Sequence, residues 1–167
     1  MRLAACCQKI GIEFMSSAYD LERLGWLEEI GVKRHKIASR MNKEHNYIDA
    51  VLRTKKEVLI SSNVFILTAS KLLYCVSKYP TLLKDLRISD ISFEQNPYDD
   101  DSETFDGFSD HTVGIEASMI AIARGAEIIE KHFCLKRDNS NPDMICSSEP
   151  SELAELVKFA RKVEEVL

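Results

Sequence analysis

Short apolar runs of strand length alternate along this chain with stretches whose apolar residues recur three or four positions apart, the spacing of one helix face. Residues 3–9 read as the last turns of a helix ended by Gly11, and Ile12–Ser16 (IEFMS) as a strand. Asp20 is placed to cap a helix whose Leu21, Leu24, Leu27 and Ile30 form one stripe, with Gly31 closing it. Strands are expected at Val32–Ser39, Glu57–Ser62 and Leu72–Val76, with a short helix at Tyr47–Arg53 between the first two. Pro80 stops the strand that runs through Leu72–Val76, and Leu82 to about Asp90 reads as helical. Gln95–Thr104 (QNPYDDDSET) is a polar, acidic turn region with nothing to bury. A strand at Gly107–Ser109, a helix at Ile115–Arg124 ended by Gly125, a strand at Glu127–Phe133 and a loop at Lys136–Ser147 follow. In the last helix Ser148 is the expected N-cap, Pro150 sits in the first turn, and Glu149 and Glu152 complement the helix dipole. Leu153, Leu156, Val157, Ala160, Val163 and Leu167 make its buried stripe.

Strands that alternate with helices predict a parallel α/β sheet, either open or closed as a (β/α) barrel. The pattern supplies about six strand–helix units, against the eight of a closed barrel. The polar residues of unusual character fall at strand C-terminal ends, where such sheets carry their sites.

The densest of these stretches is Gly107–Phe133 (GFSDHTVGIEASMIAIARGAEIIEKHF). Side chains alternate sides along a strand, so Ser109 and His111 share a face while Asp110 points the other way. In the second strand Glu130 and His132 share a face, opposite Ile129, Lys131 and Phe133. If the two strands are parallel neighbours, the four polar groups converge, and two neutral imidazoles with a carboxylate suit a divalent metal. The same positions also fit two ordinary histidines, each hydrogen-bonded on its own.

Composition narrows the class. At 167 residues, with 45 % apolar and 29 % charged residues, the chain is expected to form one domain with a real core. A net charge of −5 without a basic cluster excludes a dedicated nucleic-acid surface. No apolar run approaches the roughly 20 residues of a membrane helix. The start, MRLAACC, is far too short in apolar residues for a signal peptide, which needs roughly 7–15. Cys6, Cys7, Cys75, Cys134 and Cys146 are odd in number and lack metal-ligand spacing, so a reducing, cytoplasmic compartment is expected.

The segments FMSSAYD, HKIAS, LISSN, CVSKYPT, GFSDHT, IIEKHF and NPDMICSSEP occur in this order. Together they resemble the NeuB-like barrel domain of the sialic acid synthases (N-acetylneuraminate synthase and its pseudaminic and legionaminic relatives), over nearly the whole chain. The resemblance implies a partial TIM (β/α)8 barrel. It also implies condensation of phosphoenolpyruvate with an N-acetylated amino sugar such as N-acetylmannosamine, giving a nonulosonic acid and phosphate. By position, His111 and His132 match the ligands of a divalent metal, commonly Mn²⁺, with Mg²⁺ or Co²⁺ as alternatives. Lys36, Ser39, Ser61 and Ser109 match the groups that hold phosphoenolpyruvate, and Glu130 an active-site carboxylate beside the metal. Ser17 stands where the family usually has Thr, and Ser77 where some members have Asn. Tyr19, Tyr79 and Asp143 match the amino-sugar pocket.

The chain departs from that pattern in three places. The family's first two strands, which carry a catalytic Glu and a second Lys, have no counterpart here, and neither does the C-terminal antifreeze-like domain. The link between EVLISS and LLYCV is only Asn63–Lys71, shorter than the roughly 10–12 residues of a parallel crossover with its helix. Met41 and Arg40 replace a sugar-binding carboxylate and a small Gly in Lys36-Ile37-Ala38-Ser39-Arg40-Met41. An opened barrel is expected to leave unpaired edges at Ile12–Ser16 and Glu127–Phe133, favouring homo-oligomers or dependence on a partner chain. Two functions therefore stand side by side: an impaired synthase, and a non-catalytic barrel remnant that acts through assembly.

Overall fold

The computed structural model describes residues 2–64, 70–93 and 104–166. The chain divides into two compact units, Met1–Ile60 with Thr68–Lys71, and Ser61–Leu67 with Leu72–Leu167.

The first unit opens with α1 (Arg2–Ile10), which buries none of its residues, and α2 (Leu21–Ile30). Both ends of α2 follow from its sequence. The Asp20 carboxylate accepts from the Arg23 N–H at 2.8 Å, and Gly31 takes the left-handed φ of 76° that closes the last turn. Strand β1 (Arg34–Ile37) pairs in parallel with β2 (Glu57–Ser62), in register from Arg34↔Glu57 to Ile37↔Ile60. Between them, α3 (His45–Arg53) buries Tyr47 and Val51, and α2 buries Leu24 and Leu27. His35 points to the helix side, where its Nε2 lies 2.8 Å from Glu28, a carboxylate that also accepts from Lys56 at 2.7 Å.

One expected strand does not form here. Ile12–Ser16 is irregular, and the only pairing nearby is an isolated parallel bridge, Ser17↔Lys36. Ile12 is 57 % exposed. An apolar run makes a strand only when it has a neighbour to pair with and a core to face.

The second unit holds β3 (Lys71–Cys75), β4 (Gly107–Asp110), α4 (Glu116–Ala123), β5 (Ile128–Lys131), α5 (Pro142–Cys146) and α6 (Pro150–Glu164). Its strands pair in parallel in chain order, aligning Leu73, Gly107 and Ile128. The described residues thus contain five strands rather than the expected six. On one part of the sheet Tyr74 packs edge-on against Phe105 and stacks with Phe108. On another, Ile115, Ile122 and Leu156 form a cluster that Met119, Ile129 and Phe159 extend, joining α4, α6 and β5.

Three further expectations need correction. Leu82–Asp90 holds only one 3-10 turn, Leu83–Asp85, because Leu82 and Leu83 face water and offer no apolar stripe. The Arg87 N–H instead donates to the Tyr74 hydroxyl. The expected loop Lys136–Ser147 contains α5, capped by Asn141 with Pro142 in its first turn. Glu149, not Ser148, caps α6: it and Glu152 exchange side-chain-to-backbone bonds as a capping box, while Ser148 bonds to the His132 carbonyl. The central part of the Asn63–Lys71 link, and all of the Gln95–Thr104 turn but Thr104, lie outside the described residues.

Gly107 sits mid-sheet where no side chain fits. A Cβ there would collide with the Ile128 carbonyl oxygen and come within 2.8 Å of Leu73 Cδ2. Because the obstacle is backbone, Gly107→Ala is expected to cost about 2–3 kcal/mol in urea unfolding, the upper range for overpacking. Parental stability in that variant would show that β4 and β5 separate more readily than their register implies.

Candidate functional site

The second unit brings together eight of the twelve residues singled out from the sequence: Ser61, Ser77, Tyr79, Ser109, His111, Glu130, His132 and Asp143. The register of β4 with β5 sets Ser109 against Glu130, and the chain carries on to His111 and His132 just beyond the strand ends. Alternation does the rest. The Ser109 hydroxyl donates to Glu130 Oε2 at 2.6 Å, and Ser61, near the end of β2, donates to the same oxygen at 3.1 Å. The imidazoles of His111 and His132 lie side by side with centroids 5.4 Å apart and planes tilted by 54°.

His111 has a defined orientation. Its Nδ1 lies 3.2 Å from the Val76 carbonyl, which can only accept, so Nδ1 carries the proton and Nε2 keeps its lone pair. Cys75 Sγ lies 3.9 Å from the same nitrogen. Burial pushes the pKa of His111 down, partly countered by the Val76 carbonyl, so the ring is neutral at pH 7. Neither Val76 nor Cys75 stands out in the sequence as a site residue. The one signal was their place at the end of a strand next to Ser109.

Tyr79 covers the pair, its ring centroid 4.1 Å from that of His111 and 5.7 Å from that of His132. Burial, with the charges of Asp143 and Glu130 among its neighbours, pushes the phenol up to about 12, so it stays protonated. Ser77 lies 3.8 Å from Cys75 Sγ. Asp143 is exposed in the first turn of α5, held by the Asn141 cap.

The other four residues belong to the first unit. Ser17 bridges Lys36, which is 4 % exposed and donates from Nζ to the Ile37 carbonyl at 3.3 Å. Ser39 opens the 3-10 turn Ser39–Met41, with Met41 buried. Arg40 leaves that turn to lay its guanidinium 3.9 Å over the Tyr19 ring.

Two imidazoles with centroids 5.4 Å apart, His111 with its Nε2 unprotonated, fit a metal of nitrogen preference. Among the described residues no group of three or more His, Cys, Asp or Glu stands ready for an ion. Glu130 is engaged by two serine hydroxyls. The donor set therefore fits an ion held by two protein ligands, with water or substrate oxygens completing its shell.

The NeuB family model matches residues 1–69 and 66–167, and so the entire chain. The chain belongs to the NeuB family. The two matched segments overlap at residues 66–69, inside the Asn63–Lys71 link. An uncharacterized protein of Methanocaldococcus jannaschii is 34 % identical over 96 % of this chain and 51 % of its own length. The N,N'-diacetyllegionaminic acid synthase of Campylobacter jejuni is 30 % identical over 96 % of this chain and 52 % of its own. A crystal structure of N-acetylneuraminic acid synthetase from Leptospira borgpetersenii, in complex with citrate, superposes with a TM-score of 0.83 at 32 % identity, covering 99 % of this chain and 61 % of that one. This NeuB chain thus spans about half the length of the curated relatives it matches. Its fold is part of the family's (β/α)8 barrel, and among its described residues no helix is long and apolar enough to cross a membrane.

The neutral state of His111 can be checked directly. In a ¹H–¹⁵N imidazole titration its midpoint is expected below the ordinary 6.5. A midpoint at or above that value would mean that the ring is more hydrated than its packing implies.

Proposed function

We propose that this chain carries the metal- and phosphoenolpyruvate-binding part of a nonulosonic acid synthase, condensing phosphoenolpyruvate with an N-acetylated amino sugar and releasing phosphate. The observation that carries this reading is the adjacent pair His111–His132 beside the Ser61–Glu130–Ser109 cluster. It stands in a chain whose relatives include synthases of legionaminic, pseudaminic and N-acetylneuraminic acids.

In this reaction C3 of phosphoenolpyruvate bonds to the aldehyde carbon of the open sugar, whose oxygen gains a proton. Water adds at C2 and loses a proton, and the C–O bond to phosphate breaks. His111 and His132 would hold a divalent ion, Mn²⁺ first among candidates, and such an ion supplies Lewis acidity toward a carbonyl oxygen. Lys36 is a compact cation for the phosphate or carboxylate, and Ser39, Ser61 and Ser109 offer directed hydroxyls. Glu130, which already accepts from two hydroxyls, is the carboxylate available to take a proton near C2. Ser17, Tyr19, Ser77, Tyr79 and Asp143 are assigned to the substrates, with the protonated Tyr79 covering the histidines. Five cysteines without a disulfide among them suit a reducing, cytoplasmic setting.

Two measurements on the purified chain test this reading. Mn²⁺ followed by electron paramagnetic resonance should bind the parent and be lost from the His111→Ala/His132→Ala variant. Phosphate release from phosphoenolpyruvate with N-acetylmannosamine should depend on the same two residues. Equal Mn²⁺ affinity in both proteins would remove the metal from the scheme.

A second reading, assembly through an open face, has its own observation. Beside β5 and α6 lies a groove of about 640 Å³ lined by Ile129, Phe133, Leu153, Val157 and Ala160, with Phe133 49 % exposed. Sedimentation velocity is expected to show concentration-dependent association. A monomer over the whole range would leave the groove as an ordinary surface feature.

A further inference from the structure

The face of the β4–β5 pair turned away from the histidines carries charges of its own. Asp110 and Lys131 are register partners, placed between Ser109 and His111 on one strand and between Glu130 and His132 on the other. Both side chains are withdrawn from water, at 0 % and 3 % exposure, and Lys131 Nζ lies 3.1 Å from Asp110 Oδ2. The same oxygen accepts from the Ser118 hydroxyl of α4 at 2.6 Å. Oδ1 accepts from both the N–H and the hydroxyl of Thr112 at 2.7 Å, and Lys131 donates onward to the Thr112 carbonyl at 2.7 Å. Thr112, the residue directly after His111, is therefore held at three of its atoms by this one pair.

Removing two charges from water costs several kcal/mol per ion, and a packed apolar pair of similar volume stabilises a fold as well or better. Direction is what such a pair supplies and an apolar pair does not. Asp110 fixes the start of the turn from behind, Lys131 fixes its end, and Ser118 ties both to α4. We infer that Asp110 and Lys131 are positioning residues that fix the His111–Thr112 turn, and with it the setting of the His111 and His132 rings, tilted by 54° with centroids 5.4 Å apart. Neither touches an imidazole; they act through the backbone on either side of His111, and Lys131 also locks the strand between Glu130 and His132. The inference rests on reading the two histidines as a functional pair, and extends it to the residues that make them meet.

The test uses the full chain and two readouts, one of them independent of any metal. The first is the nuclear Overhauser contact between ring protons of His111 and His132 in the metal-free protein, where only four histidines need assignment. The second is Mn²⁺ affinity. The charge-neutral Asp110→Asn/Lys131→Met variant removes the pair without leaving a lone buried ion. It is expected to unfold cooperatively within a few degrees of the parent, yet to lose the ring–ring contact and bind Mn²⁺ about 10–100-fold more weakly. Thr112→Val, nearly isosteric and short of one hydrogen bond to Asp110, should weaken both readouts while remaining folded. It decides the matter if the double variant does not fold. An unchanged ring contact in a folded variant overturns the inference, because the pair then contributes packing alone. A parent that shows the ring contact, loses it on substitution and binds no Mn²⁺ would sink the metal reading while leaving the positioning role intact.

Discussion

A carboxylate with no exposure to water has to be fully satisfied by protein donors, and Asp110 is such a group in the middle of the site-bearing strand pair. Four hydrogen-bond donors from Thr112, Ser118 and Lys131 meet that demand, and they come from the turn after β4, from α4 and from β5. One buried anion thus ties strand, crossover helix and next strand together. Because neighbours in a strand face opposite ways, whatever fixes Asp110 and Lys131 on one side also fixes Ser109, His111, Glu130 and His132 on the other. The face with the histidines has its own bonds as well, from Ser61 and Ser109 to Glu130 and from His111 to the Val76 carbonyl, so the two sides of the strand pair are fixed together.

Much of this was legible in the sequence, and the reason is local. The Asp20 cap and left-handed Gly31 of α2 depend on the few residues around them, so their signals are complete in a short window. The meeting of His111 with His132 needs only alternation and a parallel crossover, both general rules. The failures share a different cause. Ile12–Ser16 has a strand's composition, but pairing depends on a partner elsewhere, and only the bridge from Ser17 to Lys36 is there. Leu82–Asp90 has helix-forming residues without a surface to bury them against. At the start of α6, Ser148 and Glu149 are both acceptable caps, and the choice falls to Glu149 because the Ser148 hydroxyl and N–H are taken by the His132 carbonyl. The Val76 carbonyl that orients His111 carries no side-chain signature at all, so residue types could not reveal it.

Membership of the NeuB family and possession of its whole activity are separate matters for a chain that spans about half the length of its curated relatives. The histidine pair with its serines and carboxylate is complete within one compact unit, with hydrogen bonds of ordinary length. In the other unit Met41 is buried in the Ser39–Met41 turn and the Arg40 guanidinium lies over the Tyr19 ring.

The segment between β5 and α6 is anchored in an unusual way. Arg137 donates to the Glu149 carboxylate and the Ser147 carbonyl and pairs with Glu152, so the first residues of the loop are fastened to its last ones and to the capping box. The residues in between, from Asp138 to Asp143, are exposed; Asp138 accepts from the Ser140 N–H, and Asn141 and Asp143 accept from Met144 and Ser147. The loop therefore behaves as an exchangeable cassette closed by its own clasp. Its interior can be rewritten in composition or length, altering what Asp143 presents beside Tyr79, without disturbing the start of α6 or the strand that carries His132.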